Sequence, residues 1–214
     1  HLNFLKRKTL DEVIKEDVGS LSNYTNIYIG KQSPNVLRKI KKYLNNNKSK
    51  IIYPNIWKLT KKSDQYYYQD RKFRIKLNTK NVYSKGMIEN VCLAIKVALD
   101  LKIDKKVIQK ALPFLSFEGR FQYLNKGKIK NKLNKNELIM IDGAHATADA
   151  QNLASYLKKI KIPKYGIWAM TKNKDPDLFI KQLKGIFKKV VTMPIENEFN
   201  SVSANELYKA AVKN

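Results

Sequence analysis

The sequence predicts an α/β protein built as two small lobes. Three observations carry that prediction. Short β-prone runs alternate with segments of helical apolar spacing along the chain. Of the 214 residues, 43% are hydrophobic and 10% aromatic, enough to fill a packed core and to exclude a wholly disordered chain. Near the middle, Pro113–Gly119 breaks the alternation and places a domain boundary between residues 112 and 113.

In the first lobe, Thr9-Leu10-Asp11-Glu12 reads as a capping box that opens a helix with Leu10, Val13 and Ile14 on one side. Gly19 is its expected stop. Asn26–Gly30 reads as a short buried strand. Ser33 then caps a second helix, with Pro34 in the first turn, where its missing N–H costs nothing. Leu37, Ile40 and Leu44 are the apolar stripe of that helix, and Lys50–Tyr53 is the next strand. Residues 66–77 read as a hairpin turning near Asp70. A long helix from Met87 to Leu101 carries Ile88, Val91, Cys92, Ile95 and Leu99 at helical spacing, and Asp104 caps a short helix after it.

In the second lobe, Leu138–Asp142, Tyr165–Met170 and Val190–Ile195 read as strands. Helices over Thr147–Ile160, Pro176–Phe187 and Ser203–Val212 follow them in turn, the last with its own capping box. Three βα units in series predict one mainly parallel sheet. Ligands of such sheets bind beyond the carboxyl ends of the strands. That rule points to Asp142–His145 and to Thr171–Asp175.

Charge and residue usage narrow the function classes. Lys plus Arg total 43 against 18 Asp plus Glu, a formal charge of +25, which invites a nucleic-acid reading. Only five of the cations are Arg (Arg7, Arg38, Arg71, Arg74 and Arg120), the residue type suited to bidentate base and phosphate contacts. The lysines are spread among Asn and Ile, as A/T-rich coding would give, so a solvated surface is the preferred reading. Cys92 is the sole cysteine, which excludes an internal disulfide and argues against a Cys-based zinc site, and two histidines, His1 and His145, leave little room for an all-protein metal cage. Charges fill the N-terminus where a signal peptide would be apolar, and no run is long enough to span a bilayer. The expectation is a cytoplasmic protein without a membrane partner. No G-x-x-x-x-G-K-[ST], nucleophile elbow or Ser-His-Asp set is present.

Four places can carry chemistry. In residues 141–150, IDGAHATADA, a strand ends in Asp142, Gly143 permits a turn, and His145 stands where a helix begins. Asp142 can accept ribose or amine hydrogen bonds, and His145 can face a phosphate. Alternatively Asp142 caps the helix and His145 is a plain surface residue. Arg120, at the domain junction, reads as a phosphate clamp or, more commonly in such positions, an interdomain salt bridge. Lys172 and Lys174 could bind an anion, or Asp175 could simply cap the next helix from a solvated loop. Asn90 could hydrogen-bond a nucleotide, although one Asn in a helix says little.

Taken in order along the chain, these segments resemble the folylpolyglutamate synthase / dihydrofolate synthase family of the Mur-ligase superfamily. The residues carrying the resemblance are His1–Leu5 with Thr9–Gly19, Ile29-Gly30-Lys31-Gln32, Ser84–Asn90, Phe117-Glu118-Gly119-Arg120, Asp142–Thr147 and Lys174-Asp175-Pro176. The resemblance implies that residues 1–112 are the tail of a Mur-ligase central ATPase domain. Residues 113–214 would be most of a Rossmann-like C-terminal domain with a mainly parallel sheet. It implies ATP and Mg2+ as cofactors, and L-glutamate and dihydropteroate or folate as substrates. The reaction implied is amide formation through an acyl phosphate.

Residue by residue, the resemblance makes His1 a Mg2+ ligand and assigns ATP to Asn90, Arg120 and Asp142. It puts His145 near the transferring phosphate and Lys174 at an anionic substrate group. Asp17 stands where the family has a carbamylated lysine, with the same charge on a shorter arm. Gly86-Met87 replaces the family's His-Gln pair, and Ala146-Thr147 its Asn-Pro. The resemblance further implies that the P-loop region and a final strand fall outside this sequence, so that the chain alone would not turn over. A monomer without a nucleic-acid partner is expected. Another Mur-superfamily ligase, acting on cell-wall precursors, and a basic nucleic-acid-binding module are the alternatives.

Overall fold

Local signals in the sequence set most elements of the computed structural model, which describes residues 9–214. The Thr9 N–H donates to the Glu12 carboxylate at 2.6 Å, and the Glu12 N–H donates to Thr9 Oγ1 at 3.3 Å. This reciprocal box opens α1 (Leu10–Gly19). Gly19 is the last helical residue rather than a left-handed terminator, and Ser20 is the C-cap. Only Ile14 of the expected stripe is buried; Leu10 and Val13 are exposed.

β1 (Asn26–Tyr28) and β2 (Lys50–Ile52) pair in parallel, with Asn26 opposite Lys50 and Tyr28 opposite Ile52. The crossover between them is α2 (Pro34–Tyr43), capped by Ser33 Oγ on the Val36 N–H, with Pro34 in its first turn. Leu44, 2% exposed, closes a small core with Ile27 and Ile29.

The hairpin expected over 66–77 is part of a three-stranded antiparallel sheet. Its strands are β3 (Lys58–Lys62), β4 (Gln65–Gln69) and β5 (Arg74–Lys76). The β3 sequence KLTKK has one apolar residue, so no alternation announces it; pairing with β4 makes it a strand. Asp70 builds the β4–β5 turn by accepting the N–H groups of Lys72 and Phe73 at 2.8 and 2.7 Å. The Tyr68 hydroxyl donates to the same carboxylate at 2.6 Å. Tyr68 and Ile75, both fully buried, face α3 (Lys85–Asp100). All five residues of the predicted stripe, from Ile88 to Leu99, join this core, and burying an aliphatic side chain of that size stabilises by about 1.5–3 kcal/mol. Asp104 caps α4 (Lys105–Ala111), which adds Ile108 and is followed by Leu112 of the same core.

The chain divides into two compact units, the first ending at Leu115 and the second running from Ser116 to Asn214. The division falls inside the Pro113–Gly119 stretch.

The C-terminal unit contains β6 (Gln122–Tyr123), β7 (Met140–Ile141), α5 (Thr147–Leu157), β8 (Tyr165–Trp168), α6 (Pro176–Lys181), β9 (Lys189–Thr192) and α7 (Ala204–Lys213). The α/β class and the parallel pairing hold: β8 and β9 pair in parallel, Tyr165 opposite Lys189. The single three-strand ladder does not form among the described residues. β7 instead pairs antiparallel with β6, Gln122 opposite Ile141. α5 and α6 are shorter than their apolar periodicity predicts, α6 giving way to turns after Lys181. α5, α6 and α7 pack in sequence and bury Ala150, Leu153, Phe179 and Leu207. Trp168 stacks on Phe179 with ring centroids 5.8 Å apart. No helix among the described residues is long and apolar enough to cross a membrane.

Candidate functional site

In the C-terminal unit, two turns are clasped together at the end of β7. The Gly143 N–H donates to the Gly119 carbonyl at 2.6 Å. The Asp142 carboxylate accepts two backbone N–H groups, from Phe121 at 2.7 Å and from Ala144 at 2.8 Å. Phe121 adopts a φ of 47°, unusual for a bulky side chain. It is held there by the Asp142 bond and by burial of its ring against Tyr156, centroids 5.1 Å apart. The positive φ reverses the chain so that Arg120 projects over the other turn. A Cβ built on Gly143 would lie 2.9 Å from Arg120 Nη1 and 3.3 Å from the Gly119 carbonyl oxygen, so the absence of a side chain there makes room for the guanidinium.

His145 completes this cluster. Its Nδ1 lies 2.8 Å from the Gly143 carbonyl oxygen. A hydrogen on Nδ1 donates to that oxygen and leaves Nε2 as the free basic nitrogen. The ring is exposed. The N-terminus of α5 is capped from within, because Asp149 accepts the Ala146 N–H at 3.3 Å. Asp142 is therefore not a helix cap; it ties the Gly119–Phe121 turn to the Gly143–Ala144 turn. Within the C-terminal unit no ion pair of Arg120 is found among the described residues. The cluster presents a cation, a carboxylate already engaged by N–H groups and an imidazole on one strand end. Such a set suits an anionic, oxygen-rich ligand.

The other candidate residues lie apart from this cluster in the chain. Lys174, half-buried, follows β8, where its N–H bonds the Thr171 carbonyl at 3.2 Å. Asp175 beside it caps α6 through the Leu178 N–H at 3.1 Å, the commoner of its two readings. Asn90 and Asp17 belong to the N-terminal unit. Asn90 is exposed on α3, and Asp17 is exposed near the end of α1. His1 lies outside the described residues. Sequence reasoning did not single out Phe121, whose conformation no local motif signals, or Asp149, legible only as an acid in a helix first turn.

A second concavity lies in the N-terminal unit, at the carboxyl ends of β1 and β2. Its volume is about 390 Å³. Lys31 follows β1, Pro54 and Asn55 follow β2, and Lys85 and Glu89 come from the first turns of α3. Trp57, 8% exposed, and Cys92, 1% exposed, supply apolar wall, and Lys58 stands at the rim. Lys31 Nζ is 3.2 Å from the Glu89 carboxylate. Burial, with a smaller contribution from the Glu89 charge, pushes the Cys92 thiol up to about 12.

Among the described residues no three His, Cys, Asp or Glu side chains converge into an all-protein metal cage, which Mg2+, commonly held by one or two protein ligands and substrate phosphates, does not require. Asp17, the expected metal-supporting carboxylate, belongs to no cluster of three such residues.

No protein-family model and no curated protein matches the sequence. Solved structures match the fold. Mycobacterium tuberculosis folylpolyglutamate synthase complexed with ADP superposes with a TM-score of 0.79 at 17% identity, over 100% of this chain and 48% of that one. E. coli FolC in complex with DHPP and ADP gives 0.74 at 15% identity, over 94% of this chain and 46% of that one. A bifunctional folylpolyglutamate synthase/dihydrofolate synthase with Mn, AMPPNP and L-glutamate bound gives 0.73 at 17% identity, over 94% and 46%. The likeness is one of fold, and the chain spans about half the length of these structures.

Proposed function

We propose that this chain forms one half of an ATP-dependent ligase that joins L-glutamate to dihydropteroate or a folate. The single observation that carries the reading is the Arg120–Asp142–His145 cluster at the end of β7. It sits in a fold shared with enzymes solved with ADP, AMPPNP, DHPP and L-glutamate.

In this reading the γ-phosphoryl group of ATP passes to the substrate carboxylate, forming an acyl phosphate and ADP. The glutamate amine then attacks the acyl carbon, inorganic phosphate leaves with the C–O bond electrons, and the amine loses its proton. Two anions must meet in the first step, so charge neutralisation and positioning are the protein's main work. Arg120 supplies a fixed cation toward the nucleotide. Asp142 keeps Arg120 in place by fixing the turn at Phe121 and offers its remaining acceptor capacity to a ribose hydroxyl. His145 Nε2 lies free to receive a proton or, once charged, to face phosphate oxygens. Asn90 is proposed as a nucleotide contact from the N-terminal unit, and Lys174 as the group that neutralises a substrate carboxylate.

Residues 1–112 belong in this reading to the ATPase domain and 113–214 to the glutamate-ligase domain. Asp17 takes the place of the family's carbamylated lysine. The cofactors are ATP and Mg2+. His1 is proposed as a metal ligand; the described residues furnish no cage, and no step is drawn through the cation. The protein is proposed to act as a monomer in the cytoplasm.

The test is incorporation of labelled L-glutamate by the gene product carrying this sequence, given ATP and dihydropteroate or tetrahydrofolate. ATP-dependent incorporation, weakened at limiting ATP by Arg120→Ala, supports the reading. A folded sample that binds ATP and incorporates nothing rejects it.

A further inference from the structure

The antiparallel sheet of the N-terminal unit has two faces of opposite character. Leu59, Tyr68 and Ile75 stand opposite one another across its three strands and pack into the core with α3. Side chains alternate along a strand, so the residues between them belong to the outer face. The register places Lys58, Thr60 and Lys62 of β3 opposite Gln69, Tyr67 and Gln65 of β4. On β5, Lys76 lies opposite Tyr67 and Arg74 opposite Gln69. The outer face of the strands thus carries four cations and one aromatic ring, with no carboxylate and no aliphatic side chain.

Lys58, Lys62, Arg74 and Lys76 are all exposed. No ion pair among the described residues engages any of them. The Arg74 guanidinium lies over the Tyr67 ring, its Cζ 4.5 Å from the centroid. Scarce Arg and scattered Lys led to the expectation of a solvated surface without a nucleic-acid partner. Strand register, which spacing does not reveal, gathers these four cations onto a patch about 10 Å across the strands and about 14 Å along β3.

Unpaired cations call for a polyanion, and lysines alone would accept many kinds. The Tyr67–Arg74 pair narrows the choice. Nucleobases stack on aromatic rings and on guanidinium planes alike, whereas the carboxylates of an acidic peptide make no use of such a stack. A base inside a duplex is already stacked on its neighbours, so the pair selects a single strand. A lipid surface would need apolar side chains to insert, and this face has none.

We propose that the outer face of the β3–β4–β5 sheet binds single-stranded nucleic acid. One base stacks on the Tyr67–Arg74 pair, and flanking phosphates meet Lys58, Lys62 and Lys76. The inference is independent of the ligase reading and uses none of the residues placed in that chemistry, so the outcome of the glutamate incorporation assay leaves it untouched.

The test is fluorescence anisotropy of a labelled oligouridylate, about twelve nucleotides long, titrated with the 214-residue chain at several salt concentrations. The expected result is saturable binding whose log affinity falls against log salt with a slope near about −2, roughly −0.7 for each of three phosphate contacts. Lys62→Gln/Lys76→Gln should bring that slope to about −0.7 and weaken binding about tenfold. Tyr67→Val keeps every charge and a strand-forming residue, and should weaken binding about tenfold with the slope unchanged. An unchanged melting temperature checks that each variant is folded. Lys126→Gln/Lys128→Gln, on an exposed loop of the other unit, should bind like the parent. Equal weakening by that control overturns the proposal, by reducing the binding to attraction toward a chain of +25. Absence of saturable binding at low salt, or parent-like affinity in Tyr67→Val, overturns it as well. Should Tyr67→Val not fold, parent-like affinity and slope in Lys62→Gln/Lys76→Gln overturn it alone. Tighter binding of a duplex of the same length overturns the single-strand assignment. Displacement by an oligo-aspartate of equal charge at equal concentration overturns the proposal by assigning the face to acidic protein segments.

Discussion

Replacing Asp142 by Ala tests whether its carboxylate is first a structural clasp. Two backbone N–H groups, those of Phe121 and Ala144, lose their acceptor at once. Hydrogen bonds to a charged group contribute roughly 1.5–3 kcal/mol each, and the half-buried setting of Asp142 puts both at the lower end, about 3 kcal/mol together. Part of this returns, because Phe121 can leave its φ of 47°, a conformation that costs on the order of 1 kcal/mol. The net loss is about 2 kcal/mol. For a unit of roughly 100 residues this lowers the melting temperature by about 8–16 °C. Asp142→Asn keeps one acceptor oxygen and should fall about halfway. Trp168 fluorescence follows melting of the C-terminal unit and Trp57 that of the N-terminal unit, so the Trp57 transition serves as an internal reference. Melting of the Trp168 transition within about 2 °C of the parent in Asp142→Ala would refute the clasp and leave ligand binding as the residue's whole role.

Other outcomes follow from the same geometry. Gly143→Ala places a methyl group against Arg120 Nη1 and near the Gly119 carbonyl. The guanidinium, at the end of a flexible chain, swings aside, so stability falls by no more than about 1 kcal/mol while ATP affinity drops; titration and melting on the same sample separate the two. Tyr68→Phe removes the hydroxyl bonded to Asp70 in a fully buried position and should cost about 1.5–3 kcal/mol, read from urea unfolding of the Trp57 signal. Burial pushes the Asp70 carboxyl up, but the Tyr68 hydroxyl, the Phe73 and Lys72 N–H groups and the Lys96 charge outweigh it and hold the group below its ordinary value. Its stabilisation is therefore present above the unfolded value of about 4 and lost as pH falls through the lower folded value; Asp70→Asn should flatten that acid limb in pH-dependent melting. Cys92, 1% exposed with its thiol pushed up to about 12, should resist iodoacetamide at about pH 8 in the native state and label only on unfolding, as mass spectrometry would show.

The motif residues of the C-terminal unit were legible because they stand together in a local turn signature, although their partners Gly119 and Phe121 are distant in the chain. Asp142, Gly143 and His145 follow a strand and precede a helix, and turn chemistry makes such a segment conspicuous in any chain. Although Lys31 and Lys85 fall in segments that carry the family resemblance, the lysines were not legible as cavity residues. Lys31, Lys58 and Lys85 are three among many, and nothing in spacing of roughly 27 residues distinguishes a lysine at a rim from one in solvent. The same holds for β3, a strand that exists through its neighbour rather than through its own composition.

By itself the sequence determined the caps, the crossover helix between β1 and β2 and the buried stripe of α3, since side-chain-to-backbone bonds and apolar periodicity are local properties. Only the tertiary structure decided that β7 would pair with β6 and not extend a parallel ladder, and that Asp142 would hold Phe121 rather than cap α5. Those outcomes depend on which distant N–H or strand edge arrives within bonding distance, and chain spacing carries no record of it.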